Sequence, residues 1–149
     1  MTGDFYPLRT SYIEAQPNVL DFGDAAELLS ESLFFHWKGV QANLATFNTL
    51  EEYNFLLNNV VPATGLYWVG ASDAKTRGLW SWVTGRDAGQ ALPAAISALL
   101  PADNPNGYAC LAISSTGLSY QDCNSHAVNI LAEWRCQPGF ALGIAECEG

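Results

Sequence analysis

The four cysteines are the residues whose type and spacing most directly predict chemistry. They lie at positions 110, 123, 136 and 147 of the 149-residue chain. An even number of clustered cysteines with no Cys-x-x-Cys pair favours disulfides. Structural zinc is the alternative, because Cys123 and His126 have a spacing that zinc ligands use, although no second pair stands at such a spacing. Disulfides imply an oxidising compartment, so the cysteines predict an extracellular or secreted protein.

Catalytic chemistry has little support in the residue patterns. The chain holds two histidines, His36 and His126, and neither His-Glu-x-x-His nor Gly-x-Ser-x-Gly occurs. No glycine-rich phosphate loop occurs either. Glu51 and Glu52 are better placed to cap a helix than to act as acid and base. We therefore predict that the protein is not an enzyme.

The charge balance limits the class of partner. With 6 basic and 15 acidic residues the net charge is −9. Such a surface repels phosphate backbones and anionic lipid heads and attracts cations, calcium included, so we expect no nucleic-acid partner. No stretch approaches ~20 continuous apolar residues, so we expect no direct membrane insertion. The start, Met1-Thr2-Gly3-Asp4, has no basic residue, and no apolar signal-peptide core follows it.

The hydrophobic pattern predicts two helices among several short strands. Apolar residues at helical spacing predict a first helix from Asp21 to Ser32. Thr49-Leu50-Glu51-Glu52 is a capping box, which predicts that a second helix begins near Thr49. Short aromatic or β-branched segments predict strands at residues 12–15, 66–70, 79–83, 110–113 and 130–134. The last two are separated by a turn-rich segment, residues 114–124. Strand, two helices and then several strands indicate an α+β fold.

Three motifs in this order resemble those of C-type lectin-like domains. Residues 44–56 resemble the second helix of that family. Trp68-Val69-Gly70-Ala71-Ser72-Asp73, followed by Gly78-Leu79-Trp80-Ser81-Trp82-Val83-Thr84-Gly85, resembles its central motif. Phe22, Ala25 and Ala26 stand where the first helix usually has an aromatic residue and alanines. The alternative is an unrelated α+β domain with tryptophan-rich strands.

The resemblance implies a definite architecture. We expect two helices with short antiparallel sheets, paired N- and C-terminal strands, and a long irregular loop at about residues 86–109. Recognition in such a fold lies in the loop rather than in the scaffold. We divide the chain into an N-terminal lead (1–10), a C-type lectin-like domain (11–136) and a cysteine-containing tail (137–149). The domain is expected to act alone or as one part of a larger secreted or membrane-anchored protein.

The resemblance also predicts one disulfide and marks another as lost. Cys110 and Cys123 match the family's bridge that brackets the loop region. The family's bridge from the first helix to the last strand is absent, because no cysteine precedes position 110 and Ala132 stands where its partner would be. Cys136 and Cys147 then close a tail loop. Alternatively, one of them pairs beyond Gly149, since this tail resembles the edge of an epidermal-growth-factor-like module.

Calcium-dependent sugar binding is the sharpest function that the resemblance suggests. Calcium takes 6–8 oxygen ligands, and sugar-binding members supply them from Glu-Pro-Asn and Trp-Asn-Asp motifs and an acid before the loop cysteine. Here those positions hold Asn104-Pro105-Asn106, Leu118-Ser119-Tyr120 and Gly107-Tyr108-Ala109. The candidate calcium ligands are therefore Asp103, Asn104, Asn106 and Asp122, and the candidate ligand-binding residues are Asn104, Asn106, Tyr108 and Tyr120. A plain turn is the alternative for Asn104-Pro105-Asn106.

The long loop also contains an apolar segment, residues 92–100. A short helix between Pro93 and Pro101 would place Ile96, Leu99 and Leu100 on one face. We expect this face to cover the domain's own core, and an exposed patch for a protein or a hydrophobic ligand is the alternative.

The sequence as a whole predicts a non-catalytic extracellular recognition module that binds a carbohydrate or a protein through the long loop. A calcium-independent protein–protein interaction domain, or a structural domain of a larger chain, is the alternative. The loss of the acidic motifs favours recognition without calcium.

Overall fold

The computed structural model describes residues 3–5, 11–31, 42–135, 141–142 and 147–148. The strands are β1 (Gly3–Phe5), β2 (Ser11–Gln16), β3 (Ala42–Leu44), β4 (Tyr67–Ser72), β5 (Ser81–Trp82), β6 (Cys110–Ser114), β7 (Gly117–Gln121), β8 (Asn129–Arg135), β9 (Ala141–Leu142) and β10 (Cys147–Glu148). The helices are α1 (Phe22–Glu31), α2 (Leu50–Asn59) and the four-residue α3 (Ala94–Ser97). The α+β class and the two longer helices are confirmed. No helix in these ranges is long and apolar enough to cross a bilayer.

Eight strands form one sheet in the order β1-β2-β8-β4-β6-β7, with β3 added on β8 and β5 on β4. Strand β2 runs antiparallel to β8, which confirms the predicted pairing of the N- and C-terminal strands. The expected antiparallel pairs make up most of the sheet, but the sheet is mixed, because β4 and β8 run parallel. A parallel pair requires a long crossover, and here β5, the long loop and the β6–β7 hairpin supply it.

The sheet is covered on both faces, which explains why β4 is apolar without alternation. On one side Val69 packs in a core cluster with Leu56 of α2. On the other side Trp68 packs in a second cluster with Leu29 of α1. Trp68, Trp80, Trp82 and Trp134 are all buried.

Local capping fixes where both longer helices begin. The Thr49 hydroxyl accepts a hydrogen bond from the Glu52 amide at 3.1 Å, and the Glu52 carboxylate accepts one from the Asn48 amide at 3.0 Å. Before α1, the Asp21 carboxylate accepts a hydrogen bond from the Asp24 amide at 2.7 Å. Side-chain oxygens thus satisfy amides that have no partner within the helix.

Strand β7 lies inside the segment that its composition assigned to turns. It pairs with β6 from Ser114↔Gly117 to Cys110↔Gln121, which leaves a two-residue loop. Gly117 has φ +125°, a conformation that favours glycine in such turns. The sequence did not predict β7, because Ser, Thr and Gly surround the two-residue loop and the strand has only Leu118 and Tyr120 as large apolar residues.

Several predictions concern residues outside the described ranges. These are the domain boundaries at both ends, the side chains of Cys136 and Cys147 with their tail bridge, and His36. They stay predictions.

Candidate functional site

A disulfide anchors the end of the loop region. Cys110 at the start of β6 is bonded to Cys123, which lies two residues past the end of β7, with an S–S distance of 1.98 Å and a Cα–Cα distance of 5.2 Å. The pairing predicted from the resemblance is confirmed. The zinc alternative for Cys123 and His126 is wrong, because the Cys123 sulfur is in the disulfide.

The first part of the long loop (residues 86–109) is held as a partner of β5. The Gly89 amide donates to the Trp82 carbonyl at 2.8 Å, and the Trp82 amide donates to the Gln90 carbonyl at 2.9 Å. Two residues on, the Leu92 amide donates to the Trp80 carbonyl at 3.2 Å. This half of the loop is therefore fixed to the scaffold by backbone hydrogen bonds.

The apolar segment of the loop forms α3 and turns inward. Ile96 is fully buried and Leu92 is buried, while Leu99 and Leu100 are partly buried against the same core cluster. The predicted helix and its role in covering the core are confirmed. The alternative of an exposed apolar patch at this segment is wrong.

The last part of the loop, the loop tip (residues 103–108), is a tight turn held by the side chain and carbonyl of Asn104. The Gly107 amide donates to the Asn104 carbonyl at 3.0 Å. The Asn104 side chain binds the Tyr108 backbone twice, donating to its carbonyl at 2.8 Å and accepting from its amide at 3.1 Å. Pro105 and Gly107 occupy positions that such turns favour, so the predicted turn is present. The structure thus brings Asn104 and Tyr108 together.

A buried carboxylate under the loop tip holds it to the end of β4. Asp73 is 3% exposed, and its Oδ1 lies 3.3 Å from Nε of Arg77. The Arg77 guanidinium also donates to the carbonyl of Gly107. The Asp73 amide donates to the carbonyl of Ala109 at 3.2 Å, and the Ser72 hydroxyl donates to the same carbonyl at 2.6 Å.

This arrangement makes Arg77 the cation of the loop base. Its positive charge faces the one carboxylate oxygen of Asp73 that has no hydrogen-bond partner, while the other oxygen accepts from the Gly78 amide at 2.9 Å. Sequence reasoning missed Arg77. The available signal was the Asp-x-x-x-Arg spacing next to a recognised motif, but nothing local indicates that Arg77 reaches a residue 30 positions away.

Tyr120 ties the loop to the β6–β7 hairpin. Its hydroxyl donates to the carbonyl of Pro101 at 2.7 Å, and its ring stacks on Trp80 with centroids 5.1 Å apart. Burial of the ring, and then the negative charge of Asp73, raise the pKa of the Tyr120 hydroxyl above its ordinary value. The contacts of Tyr120 with Pro101 and Trp80 therefore position the loop. Contact of Tyr120 with a ligand stays a prediction.

The predicted calcium ligands are spread over two segments. Asp103 and Asn106 are exposed in the loop tip. Asp122 is exposed after β7, where its carboxylate accepts from the Asn124 amide at 2.9 Å. Among side chains that the structure describes, Asp103 and Asp122 are not part of a group of three His, Cys, Asp or Glu ligands near one another. Calcium at this set stays a prediction.

Comparison with known proteins gives a family and a fold. Residues 38–130 match the family model of the lectin C-type domain. No match was found among curated proteins.

Among solved structures, the Kupffer cell C-type lectin receptor Clec4f has a TM-score of 0.67 at 18% identity, over 90% of this chain and 83% of that one. The carbohydrate-recognition domain of mouse scavenger receptor C-type lectin gives 0.66 at 16%, over 90% and 95%. Herring type II antifreeze protein gives 0.62 at 17%, over 92% and 98%. These similarities support the expected fold, and they do not identify a ligand for this chain.

Proposed function

Because this chain belongs to the C-type lectin domain family, we propose that it is a non-catalytic recognition module that binds a carbohydrate or a protein through the loop tip. The observation that carries the proposal is the set of contacts that fix the base of the long loop. Backbone hydrogen bonds to β5, the buried face of α3 and the Asp73–Arg77 pair fix its base, while Asp103 and Asn106 project from a fixed turn. A binding surface that is already ordered loses little entropy when a ligand arrives.

We propose that this recognition does not require calcium, although C-type lectin domains often bind it. A calcium ion needs 6–8 oxygen ligands. The side-chain oxygen of Asn104 already accepts a hydrogen bond from the Tyr108 amide. Asp73, the buried carboxylate below the tip, is paired with Arg77. Two exposed carboxylates, Asp103 and Asp122, are left from the predicted set, and they come from separate segments.

An extracellular or secreted setting is part of the proposal. The Cys110–Cys123 disulfide supports it, because disulfides persist in oxidising compartments. We also propose that the domain is one part of a larger chain, because the segment that holds Cys136 and Cys147 resembles the edge of an epidermal-growth-factor-like module.

The second candidate function is a protein–protein interaction domain whose contact surface includes the apolar side chains beside β5. Leu79 and Val83 flank that strand and are 55% and 42% exposed. Single exposed apolar residues are common, so this candidate depends on whether a partner contacts both of them.

The test is a binding screen of the oxidised domain on a glycan array and on a panel of secreted and cell-surface ectodomains, with excess calcium and after chelation. We expect the same ligands under both conditions. Asn106→Ala should weaken binding at least tenfold, whereas Glu27→Ala, an exposed change on α1, should leave it unchanged. Ligands that bind only with calcium contradict the calcium-independent mechanism, and binding that Asn106→Ala and Asp103→Asn both leave intact contradicts the loop tip as the site. Loss of ligand binding in the Leu79→Ser variant would instead indicate the second candidate function, a protein–protein interaction domain.

A further inference from the structure

A mixed cluster of ligand atoms lies outside the loop tip, where α1 begins. It consists of Asp21, Asp24 and His126, whose ligand atoms all lie within 4.8 Å of one another. Nε2 of His126 is 3.8 Å from Oδ2 of Asp21. The two aspartates come from the start of α1 and the histidine from the segment between β7 and β8. The proposed recognition function uses none of these residues.

The scaffold holds these two segments together independently of the cluster. The Phe22 amide donates to the Cys123 carbonyl at 3.0 Å, and the Leu20 amide donates to the Val128 carbonyl at 3.4 Å. The disulfide fixes Cys123 to β6. Contacts on either side of Asp21 and His126 therefore keep their backbones adjacent, and a bound ion would not have to bring two distant segments together.

The side chains leave suitable atoms for an ion. Oδ1 of Asp21 caps α1 by accepting from the Asp24 amide at 2.7 Å, which leaves Oδ2 on the side of His126. The side chain of His126 is 67% exposed, and Asp24 is exposed as well. Ligands of a tetrahedral zinc ion stand about 3.3 Å apart, as bonds of 2.0–2.2 Å require. Atoms at the 4.8 Å limit need to approach by about 1.5 Å, and the exposed side chains of His126 and Asp24 have room to do so.

The chemistry of the ligands selects the ion. Calcium and magnesium take oxygen ligands, whereas an imidazole with carboxylates suits zinc and the other late first-row divalent ions. The helix N-terminus carries a partial charge of about +0.5, which opposes a cation. Two carboxylates outweigh it, and the net charge of −9 adds to the attraction.

An adjoining cavity gives access and room for a further ligand. Its volume is about 550 Å³, and its wall includes Asp21, Asp24, Ser72 and Lys75. The side chain of Lys75 adds a positive charge to the same wall. Water or a small anion could therefore reach an ion held at the cluster.

We propose that Asp21, Asp24 and His126 form a three-ligand site for zinc or a similar late first-row divalent ion, with its fourth position open to solvent. The ion would link the first turn of α1 to the segment after the disulfide. This site shares no residue with the predicted calcium ligands.

The test is a zinc titration of the oxidised domain after chelator treatment and buffer exchange, followed by calorimetry and thermal unfolding. At ~100 times the dissociation constant, zinc should raise Tm by roughly 5–10 °C for a domain of this size. His126→Gln and Asp24→Asn should each weaken zinc binding more than tenfold. Asp21→Asn should do the same while keeping the cap, because asparagine caps helices as well as aspartate does.

Asp122→Asn is the matched control, since it removes a nearby exposed carboxylate that is not in the cluster. The side-chain oxygen of the new asparagine can still accept from the Asn124 backbone amide. This variant should bind zinc like the wild type. Because His126 and Asp24 are exposed, the apo variants should unfold at the wild-type temperature, so a loss of binding reports on the site. The proposal is overturned if the wild type shows neither heat nor a Tm shift with zinc. It is also overturned if His126→Gln and Asp24→Asn bind zinc as tightly as the wild type, because the ion would then be held elsewhere.

Discussion

Replacing Arg77 by alanine removes the cation that holds the base of the long loop. In the wild type its Nε lies 3.3 Å from Oδ1 of Asp73, an oxygen with no hydrogen-bond partner in a side chain that is 4% exposed. Arg77→Ala leaves this charge buried and unpaired, and it also removes the hydrogen bond to the Gly107 carbonyl.

The expected magnitude follows from the exposure of the two partners. Removing one partner of a fully buried ion pair costs about 3–5 kcal/mol, whereas exposed pairs contribute about 0–1 kcal/mol. Asp73 is buried but the Arg77 side chain is 56% exposed, so water can reach the vacated space and the cost falls between these limits. We expect Arg77→Ala to lower the free energy of unfolding by about 2 kcal/mol, including about 1 kcal/mol for the lost hydrogen bond.

The assay is a double-mutant cycle with Asp73→Asn, measured by urea unfolding of the oxidised domain. Asparagine can still accept from the Gly78 amide, so Asp73→Asn removes mainly the charge. With the charge gone, Arg77→Ala should cost clearly less, which gives a coupling energy of about 1 kcal/mol. Arg77→Lys should fall between the wild type and the alanine variant, because it keeps the charge but loses the second donor. Additive single changes, with coupling below about 0.3 kcal/mol, would refute the assignment of Arg77 as the loop-base cation.

Three further predictions concern the elements that mount the loop. Cys110→Ser with Cys123→Ser should lower the free energy of unfolding by about 3 kcal/mol, as expected for a loop of this length. Equal urea midpoints for the wild type and the double variant would contradict the stabilising role of the disulfide. Ile96→Ala should cost about 2–5 kcal/mol because its side chain is fully buried, and a change within 0.5 kcal/mol of wild type would mean that α3 does not cover the core. Burial and the charge of Asp73 raise the pKa of Tyr120 above 10.0, so its contribution to stability is complete below that pH and is lost as pH rises through the folded-state pKa. Tyr120→Phe should therefore flatten the loss of stability above about pH 10. Tyr53→Phe is the comparison, because burial raises the pKa of Tyr53 as well, so this residue contributes to the same loss. Equal slopes in wild type and Tyr120→Phe would contradict this.

Features encoded by neighbouring residues could be predicted from the sequence. The capping box at Thr49 needs four residues, and α2 begins directly after it. The loop helix between Pro93 and Pro101 follows from helical spacing between two prolines, and Ile96 indeed faces the core. The Cys110–Cys123 bridge came from the motif resemblance rather than from geometry.

Features that depend on distant contacts could not be predicted. Arg77 contacts a carbonyl 30 positions along the chain, and the parallel pairing of β4 with β8 depends on the path of the whole crossover. The spacing of His126 to Cys123 suggested a zinc site, but the Cys123 sulfur is in a disulfide. The structure places the imidazole against Asp21 instead, which no local pattern indicates. Strand β7 was hidden because residues typical of turns surround it.

The most direct test of the central claim, that protein contacts rather than calcium hold the binding loop, is the thermal midpoint of the metal-free oxidised domain without and with excess calcium. A ligand bound only by the native state at ~100 times its dissociation constant adds ~2.7 kcal/mol of stability, a shift of several degrees for this size. We predict coincident midpoints. A clear rise with calcium that disappears in Asp103→Asn or Asp122→Asn would contradict the account and show that these carboxylates hold calcium.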